Sequence, residues 1–184
     1  MSDSSLPHNL RLQYSAAEIT TAANRIGAEV TRWAKRVWAE TGQDLLTVPV
    51  LRGGIFFFAD LVRKIEHSVQ IAPARTWAYE SDQTQREEIA FHFDEVPVEK
   101  RSVLIIDDVC DSGRTMKLLC EKVLKAGANE VKSATLIRRK LAKETFQPDW
   151  VGLEYTGEEW FVGYGMDDSE RWRNLPDIYV ITKG

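Results

Sequence analysis

Apolar residues at Ile19, Ala22, Ala23, Ile26, Val30, Trp33 and Val37 recur at helical spacing on an otherwise polar stretch. This predicts an amphipathic helix with one buried stripe. Ser15-Ala16-Ala17-Glu18 ahead of it reads as a capping box, and Gly42 as its stop. Residues before Leu12 read as a loose tail. Leu45 to Leu51 then predicts a strand, and Ile55 to Ile65 an apolar helix. Val69 to Trp77 is a strand whose Pro73 suits an edge or an irregular stretch. Tyr79 to Glu88 is wholly polar after its Tyr, so it has nothing to bury and predicts a mobile loop. Ile89 to Phe93 returns as the second arm of that hairpin.

Val103-Leu104-Ile105-Ile106 is a run of four apolar residues, the mark of a strand buried on both faces. Met116, Leu118, Leu119, Val123 and Leu124 supply a second helical stripe, stopped by Gly127, and Val131 to Ile137 is the next strand. Strands alternating with helices predict an open α/β sheet with its sites at the carboxyl ends of the strands. The last quarter is richer in aromatics, with a strand-like stretch from Pro148 to Tyr155 and a final strand, Ile178 to Ile181.

Composition narrows the function classes. At 184 residues the chain suits one domain, and a net charge of −4 leaves no global footprint for nucleic acid or an anionic membrane. Its two cysteines, Cys110 and Cys120, make neither a disulfide framework nor a zinc pair, and the three histidines lack ligand spacing. No apolar run approaches membrane-spanning length, and the amino terminus lacks the apolar core of a secretory signal. The expectation is a cytoplasmic protein.

The candidate chemistry centres on Val103 to Met116. The buried strand opens into Asp107, Asp108, Asp111, Ser112, Gly113 and Thr115 before a helix begins. A helix N-terminus presents backbone N–H groups, and phosphate is its usual occupant. The acids therefore need other work: ribose hydroxyls, a metal ion or proton transfer. Leu51-Arg52-Gly53-Gly54 repeats the strand–turn–helix arrangement with bare glycine backbone and one cation.

These stretches resemble the type I phosphoribosyltransferases. Their phosphoribosyl pyrophosphate (PRPP) motif is four apolar residues, two acids, two variable positions, then Asp-Ser/Thr-Gly-x-Thr, and every required position is filled. Leu51 to Leu61 is similar to the pyrophosphate loop of the hypoxanthine-guanine members, for which the resemblance implies a strained Leu51–Arg52 peptide, its cis or trans form left open. Tyr79 to Glu88 matches their closing loop, although Ala78 stands where a Ser is usual. Pro148 onward resembles the hood of the 6-oxopurine members through Pro148-Asp149-Trp150-Val151-Gly152, Trp160 to Asp167 and Arg173 to Pro176.

The resemblance implies a fold with an open, mainly parallel twisted sheet flanked by helices. One domain spans 1–184, its core at about 12–147 and a small C-terminal hood at about 148–184 with the N-terminal segment. It implies transfer of 5-phosphoribosyl from PRPP to a 6-oxopurine, with Mg²⁺. Asp111 is the implied acid/base, with Tyr79 over the pyrophosphate as the other catalytic residue. Asp111, Ser112, Gly113, Arg114 and Thr115 hold the 5′-phosphate. Asp107 and Asp108 meet the ribose hydroxyls, and Arg52, Gly53 and Arg173 the pyrophosphate. Trp160, Phe161, Asp167 and Arg138 form the base site, Arg138 facing the 6-oxo group. Asp167, Asp107 and Asp108 are the implied metal-side carboxylates. Arg138, where Lys is usual, keeps hypoxanthine, guanine and xanthine open. Uracil is a weaker alternative, as is a PRPP-sensing regulator, which should carry a winged helix or a basic face. The family tends to dimers and tetramers.

Overall fold

The fold was analysed in a computed structural model, which describes residues 9–72, 75–77, 90–92, 97–140 and 145–182. In chain order the elements are β1 (Leu10–Tyr14), α1 (Ala16–Thr41), β2 (Leu45–Pro49), α2 (Ile55–Val62), β3 (Val69–Ile71), β4 (Arg75–Trp77), β5 (Ala90–His92), β6 (Ser102–Cys110), α3 (Arg114–Lys125), β7 (Glu130–Arg139), β8 (Trp150–Tyr155), β9 (Phe161–Val162) and β10 (Ile178–Ile181).

Five strands form one parallel sheet in the order β3-β2-β6-β7-β8. Its centre is buried on both faces, as the apolar run in β6 requires. Leu104 and Ile106 join the core beneath α1 and α2, while Val103 and Ile105 join Met116, Leu119 and Val123 of α3 on the other side. All four β6 residues have zero exposure, so each apolar side chain there contributes roughly 1.5–3 kcal/mol. The α1 cap forms as its spacing predicts. Ser15 Oγ accepts from the Glu18 N–H, and the Glu18 carboxylate accepts from the Ser15 N–H at 2.8 Å. Gly42 closes the helix at φ +67°, where a Cβ would be strained.

Beyond shifts at element ends, such as α2 stopping at Val62 and β7 running on to Arg139, four departures from the expected elements shape the fold. Leu10–Tyr14, read in part as tail and assigned no strand, is β1, because its backbone pairs antiparallel with β10. β6 runs through both acids to Cys110, because pairing with β7 continues as far as Cys110 opposite Arg138. Val69 to Trp77 is two strands: β3 edges the main sheet, and β4 pairs with β5 as a hairpin. Trp150–Tyr155, expected to open the hood, is instead the fifth strand of the main sheet, parallel to β7. The smaller sheet, β1-β10-β9, is antiparallel and carries the loops of 163–177 over the carboxyl ends of β2 and β6.

Candidate active site

The β6–α3 connection is built as a cradle. Gly113 takes φ +79°, and a Cβ there would strike the Phe146 carbonyl. The N-cap of α3 is Gly113, which has no side chain to offer, and Ser112 Oγ accepts from the Arg114 N–H at 3.4 Å. This start of the helix borders a cavity of about 210 Å³ lined by Asp111, Ser112, Gly113, Arg114 and Thr115. At the end of β6 the two acids fold onto their own backbone. Asp107 Oδ1 accepts from the Asp108 N–H at 2.9 Å, and Asp108 Oδ1 from the Val109 N–H at 3.0 Å. Burial, and after it the adjacent Asp108 charge, hold the Asp107 carboxyl well above the usual aspartate range.

The β2–α2 turn lies against this cradle. The Leu51–Arg52 peptide is cis. A Cβ on Gly53 would run into the Asp108 carboxylate, and one on Gly54 into the Val50 carbonyl. Only bare backbone lets the turn approach β6 this closely. Gly165 of the overlying loop, at φ +100°, lies equally close to the Gly53 carbonyl. Tyr164 Oη donates to Asp60 Oδ2 at 2.5 Å, tying that loop to α2, the helix that follows the turn.

A second cavity of about 180 Å³ opens beside the first. Its walls include Gly53, Asp108, Asp111, Arg139, Trp160, Phe161, Asp167 and Arg173, and it shares Val109 and Asp111 with the cradle. Trp160 is 63% exposed, and its Nε1–H donates to the Asp167 carbonyl at 2.6 Å, which fixes the ring at the cavity mouth. Arg173 donates to the Gly165 carbonyl at 2.7 Å and forms an ion pair with Asp167 Oδ1 at 2.7 Å.

Arg138 does not line this cavity. Its guanidinium pairs with Glu154 Oε1 at 2.6 Å, beside Lys140, which meets the other Glu154 oxygen. Arg139 takes the place expected of it. Arg139 Nε donates to Asp111 Oδ1 at 2.7 Å, and its Nη atoms to the carbonyls of Gly157 at 2.6 Å and Glu159 at 3.1 Å. The guanidinium lies 4.7 Å from the Phe161 ring centroid. Successive side chains of a strand point to opposite sides, so only one of two neighbouring arginines can face the cavity. The doubled Arg at the end of β7 was the available signal, but spacing alone does not say which of the two turns inward.

Asp107, Asp108, Asp111, Ser112, Gly113, Arg114, Thr115, Gly53, Trp160, Phe161, Asp167 and Arg173 therefore converge on two adjoining cavities. Arg52 is 70% exposed on the turn and pairs with Glu170, a residue with no signature in the sequence. Tyr79, with Ala78 and the loop to Glu88, lies outside the described residues.

The family model for the phosphoribosyl transferase domain matches residues 16–169. The chain is 31% identical over 169 residues to the hypoxanthine-guanine phosphoribosyltransferase of Bacillus subtilis, covering 91% of this chain and 90% of that protein. It is 28% identical over 176 residues to the hypoxanthine phosphoribosyltransferase of Escherichia coli, covering 94% and 96%. Among solved structures, the hypoxanthine phosphoribosyltransferase of Staphylococcus aureus superposes with a TM-score of 0.82 at 25% identity, over 95% of this chain and 92% of that one.

Proposed function

The chain belongs to the phosphoribosyl transferase domain family, and we propose that it transfers the 5-phosphoribosyl group of PRPP to a 6-oxopurine, hypoxanthine and/or guanine. The products are the nucleoside monophosphate and pyrophosphate, which makes the protein a purine-salvage enzyme. The observation that carries this reading is the position of Asp111, which lines both the phosphate cradle and the cavity beneath Trp160. A reaction joining a phosphorylated sugar to a flat base needs those two sites to meet at one carboxylate.

The α3 N-terminus with the Ser112 and Thr115 hydroxyls takes the 5′-phosphate. Asp107 and Asp108 face the ribose hydroxyls. Arg52, the Gly53 backbone and Arg173 take the pyrophosphate. Trp160 stacks on the purine, with Phe161 below. Arg139 has N–H groups beyond the three it donates to Asp111, Gly157 and Glu159, and these meet the 6-oxo group, the role expected of Arg138. As the C1′–pyrophosphate bond breaks, its electron pair leaves with the pyrophosphate, and the purine N9 lone pair forms the new bond to C1′. Asp111 accepts the proton shed by the imidazole ring. The Arg139 contact holds that carboxylate toward the base.

The residues fit a magnesium requirement. Asp107 and Asp108 are adjacent acids whose repulsion a dication would relieve, and Asp167 lies across the cavity. Among the described residues no group of three or more His, Cys, Asp or Glu could hold a metal by itself, so a bound ion would draw its other ligands from PRPP oxygens and water. When bound, the ion neutralises charge on the leaving pyrophosphate. The cytoplasm, and a dimer or tetramer, complete the proposal; among the described residues no helix is long and apolar enough to cross a membrane.

PRPP-dependent consumption of hypoxanthine, guanine, xanthine and uracil, measured side by side, tests this reading. Turnover of a 6-oxopurine is expected, and no turnover of any base would overturn it.

A further inference from the structure

The loop after Asp167 places three non-glycine residues in the left-handed region: Ser169 at φ +51°, Glu170 at +64° and Trp172 at +70°. L residues rarely adopt this conformation, and such outliers cluster where geometry serves a site. Here the loop delivers one carboxylate. Glu170 Oε1 accepts from Arg52 at 2.6 Å, and Glu170 Oε2 lies 3.4 Å from Arg173 Nη2. The turn is held by the Glu170 N–H, which donates to Asp167 Oδ2 at 2.8 Å, and by reciprocal backbone bonds between Asp168 and Arg171. One carboxylate thus bridges two guanidiniums that come from different elements, Arg52 on the β2–α2 turn and Arg173 on the opposite wall.

We infer that Glu170 is a displaceable internal anion: its carboxylate holds Arg52 and Arg173 as a pair, gives way to the diphosphate of PRPP, and returns as pyrophosphate leaves. The inference rests on the phosphoribosyl-transfer reading and adds a positioning residue to it. Diphosphate presents more oxygens and more charge than a carboxylate, so it wins the two cations in direct competition. The exchange needs no unfolding, since the Arg52 and Glu170 side chains are 70% and 62% exposed. An exposed ion pair is weak, so the competition is worth a factor of roughly two to five in affinity. Tight in-place anchoring of Arg52 by Glu170 would have the opposite sign, because losing the anchor would weaken pyrophosphate binding.

Calorimetric titration of the full chain with inorganic pyrophosphate in magnesium buffer separates these signs. Glu170→Gln, close in shape and uncharged, is expected to bind pyrophosphate about two- to fivefold more tightly than wild type. In turnover it should lower the KM for PRPP and also lower kcat, because product pyrophosphate is retained. Glu170→Asp keeps the charge and should keep near wild-type affinity, and the gap should shrink at high salt. Equal or weaker pyrophosphate binding by Glu170→Gln, or equal tightening by both variants, would overturn the inference and leave the reaction assignment standing. Failure of the wild-type chain to bind either pyrophosphate or PRPP would overturn both.

Discussion

Arg139 Nε donates to Asp111 Oδ1 at 2.7 Å, joining the end of β7 to the loop after β6 across 28 residues of sequence. The Arg139 side chain is 9% exposed and Asp111 is 60% exposed, so the cation is the fixed partner and the carboxylate the accessible one. Replacing Arg139 by Ala removes a charged donor from both Asp111 and the base. A hydrogen bond to a charged group is worth about 1.5–3 kcal/mol, so kcat/KM for the base should fall roughly 10- to 100-fold. Arg138→Gln should leave the KM for the base within about twofold of wild type. Steady-state kinetics on both variants decide between the two arginines.

Asp111→Asn keeps the shape of the cradle but cannot take the purine proton. Turnover should drop by about 100-fold while PRPP affinity stays near wild type. Equal turnover in stopped assays would remove Asp111 from the chemistry.

Gly53→Ala forces a methyl group into the Asp108 carboxylate. Overpacking of this kind costs about 1–3 kcal/mol, and here it falls on the PRPP site, so the KM for PRPP should rise by about tenfold. Gly42→Ala serves as the contrast. Its Cβ meets nothing within 4 Å, but its φ is +67°. That substitution should lower stability by about 1 kcal/mol in urea melts and leave the KM unchanged.

Asp107 gives the protein a pH dependence with a definite sign. Its carboxyl is raised by burial first and by the Asp108 charge second, so the folded chain holds this proton more tightly than the unfolded chain. The associated stability is fully present below the ordinary aspartate pKa and is lost as pH climbs through the raised value. In chelator-treated, PRPP-free protein, Asp107→Asn should therefore gain in melting midpoint relative to wild type as pH increases from acid to neutral. Parallel midpoint profiles for the two proteins would contradict this.

Burial, helped by the negative charge of Asp149, pushes the Cys120 thiol up to about 12. Thiolate is the reactive form, and at pH 8 roughly one molecule in ten thousand carries it. In a Cys110→Ser background, native protein should show no rapid colour with a disulfide reagent, and one thiol should appear on denaturation. Rapid native labelling would place Cys120 at the surface.

Much of the site was legible locally. The Ser15–Glu18 cap, the Gly42 stop and the loop from Asp107 to Thr115 are written in consecutive residues, and their geometry depends on atoms a few bonds away. Two strand–turn–helix units in order, each with glycine and the second with three acids, put Gly53 and Asp111 at the same, carboxyl-terminal end of the parallel strands.

What the sequence by itself determined was therefore the three helices and the strands of the main sheet, the phosphate cradle and the kind of chemistry it serves. Tertiary structure decided which residues meet across elements. Arg139 rather than Arg138 turns toward Asp111 because the facing of a strand residue follows from its register against distant partners, Cys110 opposite Arg138 and Tyr155 opposite Arg139. β8 joins the main sheet because its hydrogen-bonding edge meets β7, which no local pattern records. Glu170 reaches Arg52 across 118 residues through a strained turn that its own side chains do not announce. Short-range spacing encodes caps and loops, whereas pairing of distant backbone encodes which side chains share a cavity.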